Sequence, residues 1–189
     1  EEMGGEIRFR SALTGIQVEK GQITGIEINN REQLPVSTLV LAIGHSARDT
    51  FSLLEKTGCS MQAKSFAVGL RIEHPQTLIN QYQYGCKEHD TLGAAAYKLT
   101  HKAASGRGIY SFCMCPGGYV VNASSEKNML AVNGMSYQDR ASKNANSAMI
   151  VTVTPDDYGN KGPLSGVEFQ RELERTAYGL GGGKIPLQL

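Results

Sequence analysis

The sequence predicts a mixed α+β protein with more strand than helix. Apolar and polar side chains alternate with a period of two in many segments, which is typical of strands. Glycine, proline and asparagine separate these segments at turn-like spacing. Only the stretches 47–57 and 166–183 have apolar residues at helical spacing and end at glycine, so these two predict helices.

The first forty residues predict an antiparallel meander. Tight turns are expected at Lys20-Gly21 and Asn29-Asn30. The last strand of the meander contains a continuous apolar run, Thr38 to Ile43, which predicts burial on both faces. Ser46 is the candidate N-cap of the helix at 47–57. The predicted strands are EIRFRS, LTGIQVEKG, QITGIEINN and QLPVSTLVLAIG.

Beyond Gly58 the chain predicts further strands, a short helix after Pro75, a loop at 156–163 and an amphipathic helix at 166–183. The chain starts inside a strand meander and stops after a helix, which predicts an excised piece of a longer protein. The further predicted strands are FAVGLRIEH, YKLTH, GIYSFCMC, YVVNAS, MLAVNGM and SAMIVTVT.

Composition and charge argue against several classes of function. The 189 residues are 40% hydrophobic and 20% charged, with a net charge of +1, so no strong field would attract nucleic acid or an anionic membrane. No apolar run approaches the roughly 20 residues that span a bilayer, and the first ten residues do not resemble a signal peptide. We therefore expect a cytoplasmic protein whose four cysteines are reduced thiols.

The segment YSFCMCPGGYVV places Cys113 and Cys115 just before the turn Pro116-Gly117-Gly118. In a regular strand the two residues would share a face about 6.6 Å apart, which is too far for a disulfide. No second close pair of cysteine or histidine residues accompanies them, so no metal site is predicted. Two interpretations stay open: thiols packed in a core strand, or thiols at a pocket where glycine admits a ligand.

Two other segments are candidates for ligand binding. In VLAIGHSARDTF an apolar strand ends at Gly44 and a helix follows, a layout that can bind a phosphate but can equally be a plain turn. The polar segment 136–147 could grip an anionic or amide-bearing substrate, or could simply be solvated. Its candidate side chains are Ser136, Arg140, Asn144, Asn146 and Ser147.

Long motifs carry a family resemblance. They include VLAIGHSARDTF, FAVGLRIEHPQTLIN, RGIYSFCMCPGGYVV, VNGMS, NANSAMIV and GVEFQRELE. With these motifs nearly the whole chain resembles uncharacterised bacterial FAD-dependent dehydrogenases, also described as NAD(FAD)-utilising dehydrogenases. The resemblance implies part of an FAD/NAD(P)-binding domain, the β-meander and closing strand, at 1–46. It further implies a strand-rich inserted substrate-side domain at 47–164 and a helix returning to the FAD-binding domain at 165–189.

The resemblance also implies cofactors, partners and site residues. FAD is the expected cofactor of the parent protein, NAD(P)H is a candidate electron donor, and the partners are a small-molecule substrate and the rest of the parent chain. This chain lacks the G-x-G-x-x-G fingerprint and is expected to bind FAD poorly on its own. The catalytic candidates are Cys113, Cys115 and Arg140, and the substrate-binding candidates are Ser136, Asn144 and Asn146. The cofactor-binding candidates are Ala12, Leu13, Ala42, Ile43, Gly44, Pro116, Gly117 and Gly118.

Two alternative functions stay open. The first is a binding module that recognises a partner or an RNA without catalysis, although the sequence has no evident strip of aromatic and basic residues. The second is a thiol-dependent enzyme with Cys115 as the nucleophile, which would need a general base or a cation brought close by the fold.

Overall fold

A computed structural model describes residues 2–159 and 161–185. The chain forms two compact units, residues 1–62 and residues 63–189. The strands are β1 (Leu13–Glu19), β2 (Gln22–Ile28), β3 (Glu32–Pro35), β4 (Phe66–Pro75), β5 (Thr100–Lys102), β6 (Gly108–Cys115), β7 (Gly118–Asn122), β8 (Val132–Ser136) and β9 (Asn144–Val153). The helices are α1 (Arg48–Lys56), α2 (Gln76–Tyr84), α3 (Pro155–Tyr158) and α4 (Ser165–Leu180). The mixed α+β class is confirmed. The assignment of 1–46, 47–164 and 165–189 to three parts of a flavoprotein stays a prediction.

The first unit contains the predicted meander, an antiparallel sheet in the order β1-β2-β3. Both predicted turns are confirmed. Lys20 and Gly21 have φ angles of 51° and 79°, and Asn29 and Asn30 have φ angles of 55° and 56°. Glycine and asparagine adopt this left-handed conformation readily, and the hairpin turns that match strand twist require it.

Two segments of the first unit that were predicted as strands are irregular. Residues 6–11 and 38–43 form no ladder with any described strand. Val40 is 84% exposed and Ile43 is 37% exposed, so the prediction of a strand buried on both faces is wrong here. An apolar run becomes a strand only where a neighbouring strand pairs with its N–H and C=O groups.

The helix α1 follows close to its predicted position, but its cap differs from the prediction. The N-cap is Ala47, and no side chain caps the helix. The carbonyl of Ser46 accepts a hydrogen bond from the N–H of Arg48 at 2.9 Å, so Ser46 contributes its backbone and not its hydroxyl. The helix ends at Lys56, close to Gly58, as predicted.

The second unit is built on an antiparallel sheet in the order β4-β9-β6-β5, accompanied by the hairpin β7-β8. Five of the six strands predicted for this region are confirmed, and the sixth, YKLTH, overlaps β5 only at Thr100 and His101. The central strand β9 pairs with β4 from Phe66↔Val153 to Pro75↔Asn144. The central strand β9 is polar near its start, where the side chains of Asn146 and Ser147 are fully buried.

The two faces of this sheet differ. Side chains alternate along a strand, so Phe66 and Arg71 of β4 point to opposite faces. The ring of Phe66 lies 5.4 Å from that of Tyr158 and 6.3 Å from that of Phe169, so α3 and α4 pack on its face. The opposite face carries Arg71 together with Asn146.

The helices of the second unit begin and end at recognisable signals. Pro75 is the N-cap of α2, and Gly85, with a φ of 75°, is its C-cap. The loop predicted at 156–163 is wrong at its start, because α3 begins at Pro155 behind a capping box of Thr154 and Asp157. No helix in the described ranges has the length and apolar character to cross a bilayer.

Candidate functional site

The two cysteines lie at a bulge in β6. This strand pairs with β9 at Phe112↔Ala148 and next at Cys115↔Asn146, so β6 contains one extra residue between these pairs. Cys113 takes up the distortion with a φ of 45°. Cys113 is exposed and Cys115 is half-buried, and the Cys115 thiol donates to the Cys113 carbonyl at 3.3 Å. The expectation of equivalent thiols side by side in a regular strand is therefore wrong.

The turn Pro116–Gly118 is buried and is held on both sides. The N–H of Gly117 donates to the Gln76 side chain at 2.8 Å, and the Pro116 carbonyl accepts from the Ser136 hydroxyl at 2.7 Å. A Cβ atom at Gly117 would overlap the carbonyl of Arg140. Close approach of the protein's own backbone thus explains this glycine, and a cofactor-binding role of the turn stays a prediction.

Gln76 belongs to a set of buried side-chain amides in which every polar atom has a partner; we call Gln76 and Asn80 the amide network. The Gln76 Nε2 group donates to Asn80 Oδ1 at 2.8 Å and to the Ala95 carbonyl at 2.9 Å. Asn80 accepts in addition from the N–H of Ala95 at 3.0 Å and donates to the Lys87 carbonyl at 2.7 Å. The network joins α2 to the turn that follows Cys115.

A charged residue that the sequence reasoning missed, Arg71 of β4, lies beside the thiols. Its Nη1 donates to Asn146 Oδ1 at 2.6 Å and to the Cys113 carbonyl at 3.2 Å. In the part of the chain that the structure describes, this half-buried guanidinium has no carboxylate partner. The available signal was a single arginine inside the apolar strand FAVGLRIEH.

Asn146 is the second unusual group at this position. Its side chain is fully buried, and its Oδ1 accepts from Arg71, but its Nδ2 has no hydrogen-bond partner. An unsatisfied buried donor costs about 1–3 kcal/mol. Buried amides are normally satisfied, so this one requires an explanation.

The hairpin β7-β8 closes over these groups at Gly134. A Cβ atom at Gly134 would overlap Arg71 Nη1 and Asn146 Oδ1 and would lie 2.8 Å from Cys115 Sγ. Glycine inside a strand often marks such a close approach, and this signal in VNGMS was available from the sequence. We call Arg71, Cys115, Gly134 and Asn146 the Arg71 cluster.

The structure brings some of the other predicted site residues to this end of the sheet. Ser136 anchors the turn Pro116–Gly118. Asn144 Nδ2 donates to Glu73 Oε1 at 2.6 Å, and Glu73 is the β4 residue paired with Asn146. Arg140 is exposed with a φ of 52°, and its contribution to the packing is its carbonyl at Gly117. The functional roles of these three residues stay predictions.

A hydrogen-bonded pair, His74 and Tyr97, lies on the opposite face of the sheet from Arg71. His74 Nε2 is 2.8 Å from the Tyr97 hydroxyl, and His74 Nδ1 is buried without a partner. Burial raises the pKa of the Tyr97 hydroxyl, against smaller opposing effects of Ser147 and of the Arg71 charge. The hydroxyl therefore stays protonated, and available as a donor, over a wider pH range than usual.

Several predicted cofactor-binding residues lie in the first unit. The N–H of Ala12 donates to Asn29 Oδ1 at 2.9 Å, and the Ala12 carbonyl accepts from the N–H of Asn29 at 2.9 Å. Both backbone groups of Ala12 are thus bonded to Asn29. Leu13 is paired with Ile28, and the segment 42–44 is exposed and irregular. Cofactor roles at these positions stay predictions.

Comparison with known proteins identifies the family. Residues 65–189 match the family described as FAD-dependent protein, C-terminal domain-like. The chain belongs to this family. An uncharacterised protein of Clostridium beijerinckii is 51% identical over 191 residues, which cover 99% of this chain and 36% of that protein. The chain is therefore related to FAD-dependent proteins and spans about a third of the length of this relative.

The region that matches this family contains the whole Arg71 cluster. Residues 71, 115, 134 and 146 all lie within 65–189, whereas the meander β1-β2-β3 lies before it. Among the described residues, no group of three or more His, Cys, Asp or Glu side chains could hold a metal ion. Within this family domain the Arg71 cluster is the candidate site, because among the described residues it joins a guanidinium without a carboxylate partner to a buried amide without an acceptor.

Proposed function

We propose that this chain is the substrate-side part of an FAD-dependent oxidoreductase of the dehydrogenase type. The observation that carries the proposal is the match of residues 65–189 to the FAD-dependent family. The C. beijerinckii relative is much longer than this chain, which supports an FAD site formed largely by residues outside these 189. The rest of such a longer protein is then the partner of this chain. NAD(P)H as electron donor is supported by the sequence resemblance alone.

In this proposal the Arg71 cluster is the surface that meets the substrate. In flavoenzymes the protein supplies orientation and electrostatics. Arg71 offers a fixed positive charge and a planar set of donors, and Cys115 lies directly beside it. The predicted catalytic roles of Cys113, Cys115 and Arg140 are retained as part of this proposal.

A thiol-dependent reaction at Cys115 has less support. A nucleophilic cysteine needs a base that accepts its proton. The Cys115 thiol donates to a backbone carbonyl, and its charged neighbour is Arg71, which cannot accept a proton. Among the described residues, no histidine is hydrogen-bonded to this thiol.

The test is the visible absorption spectrum of a longer protein that contains this chain together with a dinucleotide-binding segment. After incubation with FAD and removal of the unbound cofactor by gel filtration, flavin bands are expected in the longer protein and not in the 189-residue chain. A longer protein that carries no flavin bands after this treatment would contradict the proposal. The electron donor is then tested by adding NADH or NADPH and measuring reduction of the bound flavin as the loss of its visible bands.

A further inference from the structure

We infer that the Arg71 cluster binds a carboxylate group, with the Arg71 guanidinium and the Asn146 amide as hydrogen-bond donors. As a statement about substrate class, the inference rests on the proposed function. As a statement about binding, it depends only on side chains of this chain and requires no flavin.

No carboxylate among the described residues forms an ion pair with Arg71. Arg71 is half-buried, and its two acceptors, Asn146 Oδ1 and the Cys113 carbonyl, are both neutral. Charged side chains withdrawn from water are usually paired with an opposite charge. Both hydrogen bonds use Nη1, so the other N–H groups of the guanidinium fork are free to bind an anion.

The buried side chain of Asn146 is unpaired at Nδ2. The amide network in the same unit shows that this fold can satisfy buried amides completely. The Nδ2 group of Asn146 carries two N–H donors, and none of them has an acceptor among the described residues. Donors without acceptors indicate an acceptor that comes from outside the chain.

The donors of Arg71 and Asn146 lie on one face of the sheet. Arg71 is paired with Ala148, two residues from Asn146 on β9, and residues in this diagonal relation lie on the same face of a sheet. Ala148 contributes only a methyl group there, and Gly134 contributes no side chain. Arg71, Cys115 and Gly134 are half-buried and Asn146 is fully buried, so a ligand would reach the Arg71 guanidinium first.

The ligand chemistry follows from the donors. The site offers N–H donors and the positive charge of Arg71, and the Glu73 carboxylate on the same face is already bonded to Asn144 Nδ2 and to the N–H of Val120. The donors that have no acceptor therefore fit an anionic oxygen and not a cation. A planar guanidinium beside a planar amide matches a planar carboxylate. A phosphate group carries about −1.5 to −2 charges at neutral pH and would exceed the single charge of Arg71.

The experiment is an NMR titration of the ¹⁵N-labelled full chain with sodium acetate, with the ionic strength held constant by sodium chloride. Inorganic phosphate is titrated in parallel. The side-chain NH₂ signal of Asn146, assigned by its absence in N146D, is expected to shift and saturate with acetate. R71Q loses a charge-assisted contact, and N146D gains a negative charge that repels acetate. Each should weaken acetate binding by about tenfold or more. The control R175Q removes an exposed arginine of α4 and should bind as the wild type does.

Several outcomes would overturn the inference. They are the absence of a saturable shift, equal shifts with chloride alone, tighter binding of phosphate than of acetate, or unchanged binding in a folded R71Q. If the backbone spectrum of R71Q loses its dispersion, that variant is unfolded, and acetate binding by N146D then tests the inference. Acetate binding is measured without flavin, so the inference and the proposed function can fail separately. Flavin bands in the longer protein without acetate binding would contradict the carboxylate site alone. Acetate binding without flavin bands would contradict the proposed oxidoreductase function alone.

Discussion

Two sets of buried amides in the second unit differ in one respect. Gln76 and Asn80 are 5% and 7% exposed, and Asn146 is 0% exposed, so all three are withdrawn from water. Every polar atom of the amide network has a partner, whereas Asn146 Nδ2 has none. The difference shows that this fold uses satisfied amides to hold its backbone together and leaves one amide unsatisfied beside an unpaired cation.

The two sets are also connected in space. Gln76 holds the turn at Gly117, directly after Cys115, which lies in the Arg71 cluster. A binding group is only as well placed as the residues that fix it. The amide network is thus the support of the cluster, and its loss should affect both stability and binding.

The largest expected effect comes from Gln76→Leu. This change leaves the N–H of Gly117 and the carbonyl of Ala95 buried without partners. Each unsatisfied group costs about 1–3 kcal/mol, so we expect the free energy of unfolding in urea to fall by roughly 3 kcal/mol. Gln83→Leu, on the exposed side of the same helix, is the control. Equal losses in the two variants would remove the structural role of the network.

The next largest effect is expected for Gly134→Ala. The added Cβ would overlap Arg71 Nη1 and Asn146 Oδ1, and overpacking of this kind costs typically 1–3 kcal/mol. Gly108→Ala in β6 is the matched control, because no atom lies within 4 Å of its Cβ position. Urea unfolding should separate the two variants clearly. A Gly134→Ala protein as stable as the control would show that the hairpin does not pack on the cluster.

A smaller effect is expected for Asn146→Leu. This variant distinguishes the unpaired amide of Asn146 from the amide network most clearly. The substitution removes one hydrogen bond to Arg71, but it also removes the unpaired Nδ2 donor. These changes oppose each other, so we expect a loss of less than about 1 kcal/mol in the free energy of unfolding. Acetate binding should be lost at the same time. A loss of stability as large as that of Gln76→Leu would mean that Asn146 is structural as well.

The smallest effect is expected for Asp157→Asn. Asp157 is a hydrogen-bonded carboxylate that belongs to neither set of buried amides. Hydrogen bonds from Arg107, and then from the backbone of Thr154, hold the pKa of the Asp157 carboxyl well below its usual range. The native state therefore binds this proton less readily than the unfolded state. The resulting stabilisation is complete above the ordinary carboxyl pKa and is lost as the pH falls through the lowered value.

Thermal unfolding across the acid range checks this last prediction. The difference in Tm between the wild type and Asp157→Asn should be greatest at neutral pH and should vanish in strong acid. Asp156→Asn, the neighbouring exposed carboxylate, is the control. A constant difference at every pH would contradict the assigned pKa direction.

The parts of the fold that depend on local pattern could be predicted from the sequence. The meander turns at Lys20 and Asn29 and the strands of the second unit follow from alternation and turn residues. The strand expected at 38–43 failed because pairing depends on a partner that the local pattern does not specify. The bulge at Cys113 depends on the register against β9, which alternation within one segment cannot supply.

The candidate site was predictable only in part. Polar and thiol crowding pointed to Cys115, Ser136 and Asn146, and the structure brings these residues to one end of the sheet. Arg71 was missed because its importance comes from a contact with Asn146, 75 positions away in the chain. An unpaired buried atom cannot be seen in a sequence at all, since it is defined by all the neighbours that the fold provides.

The most direct test of the account is a crystal structure of the chain with acetate. We predict a planar carboxylate that accepts hydrogen bonds from Asn146 Nδ2 and from the Arg71 guanidinium. The account would be contradicted by a structure in which Asn146 Nδ2 donates to an oxygen of the protein or to a water, and Arg71 pairs with a carboxylate of its own chain.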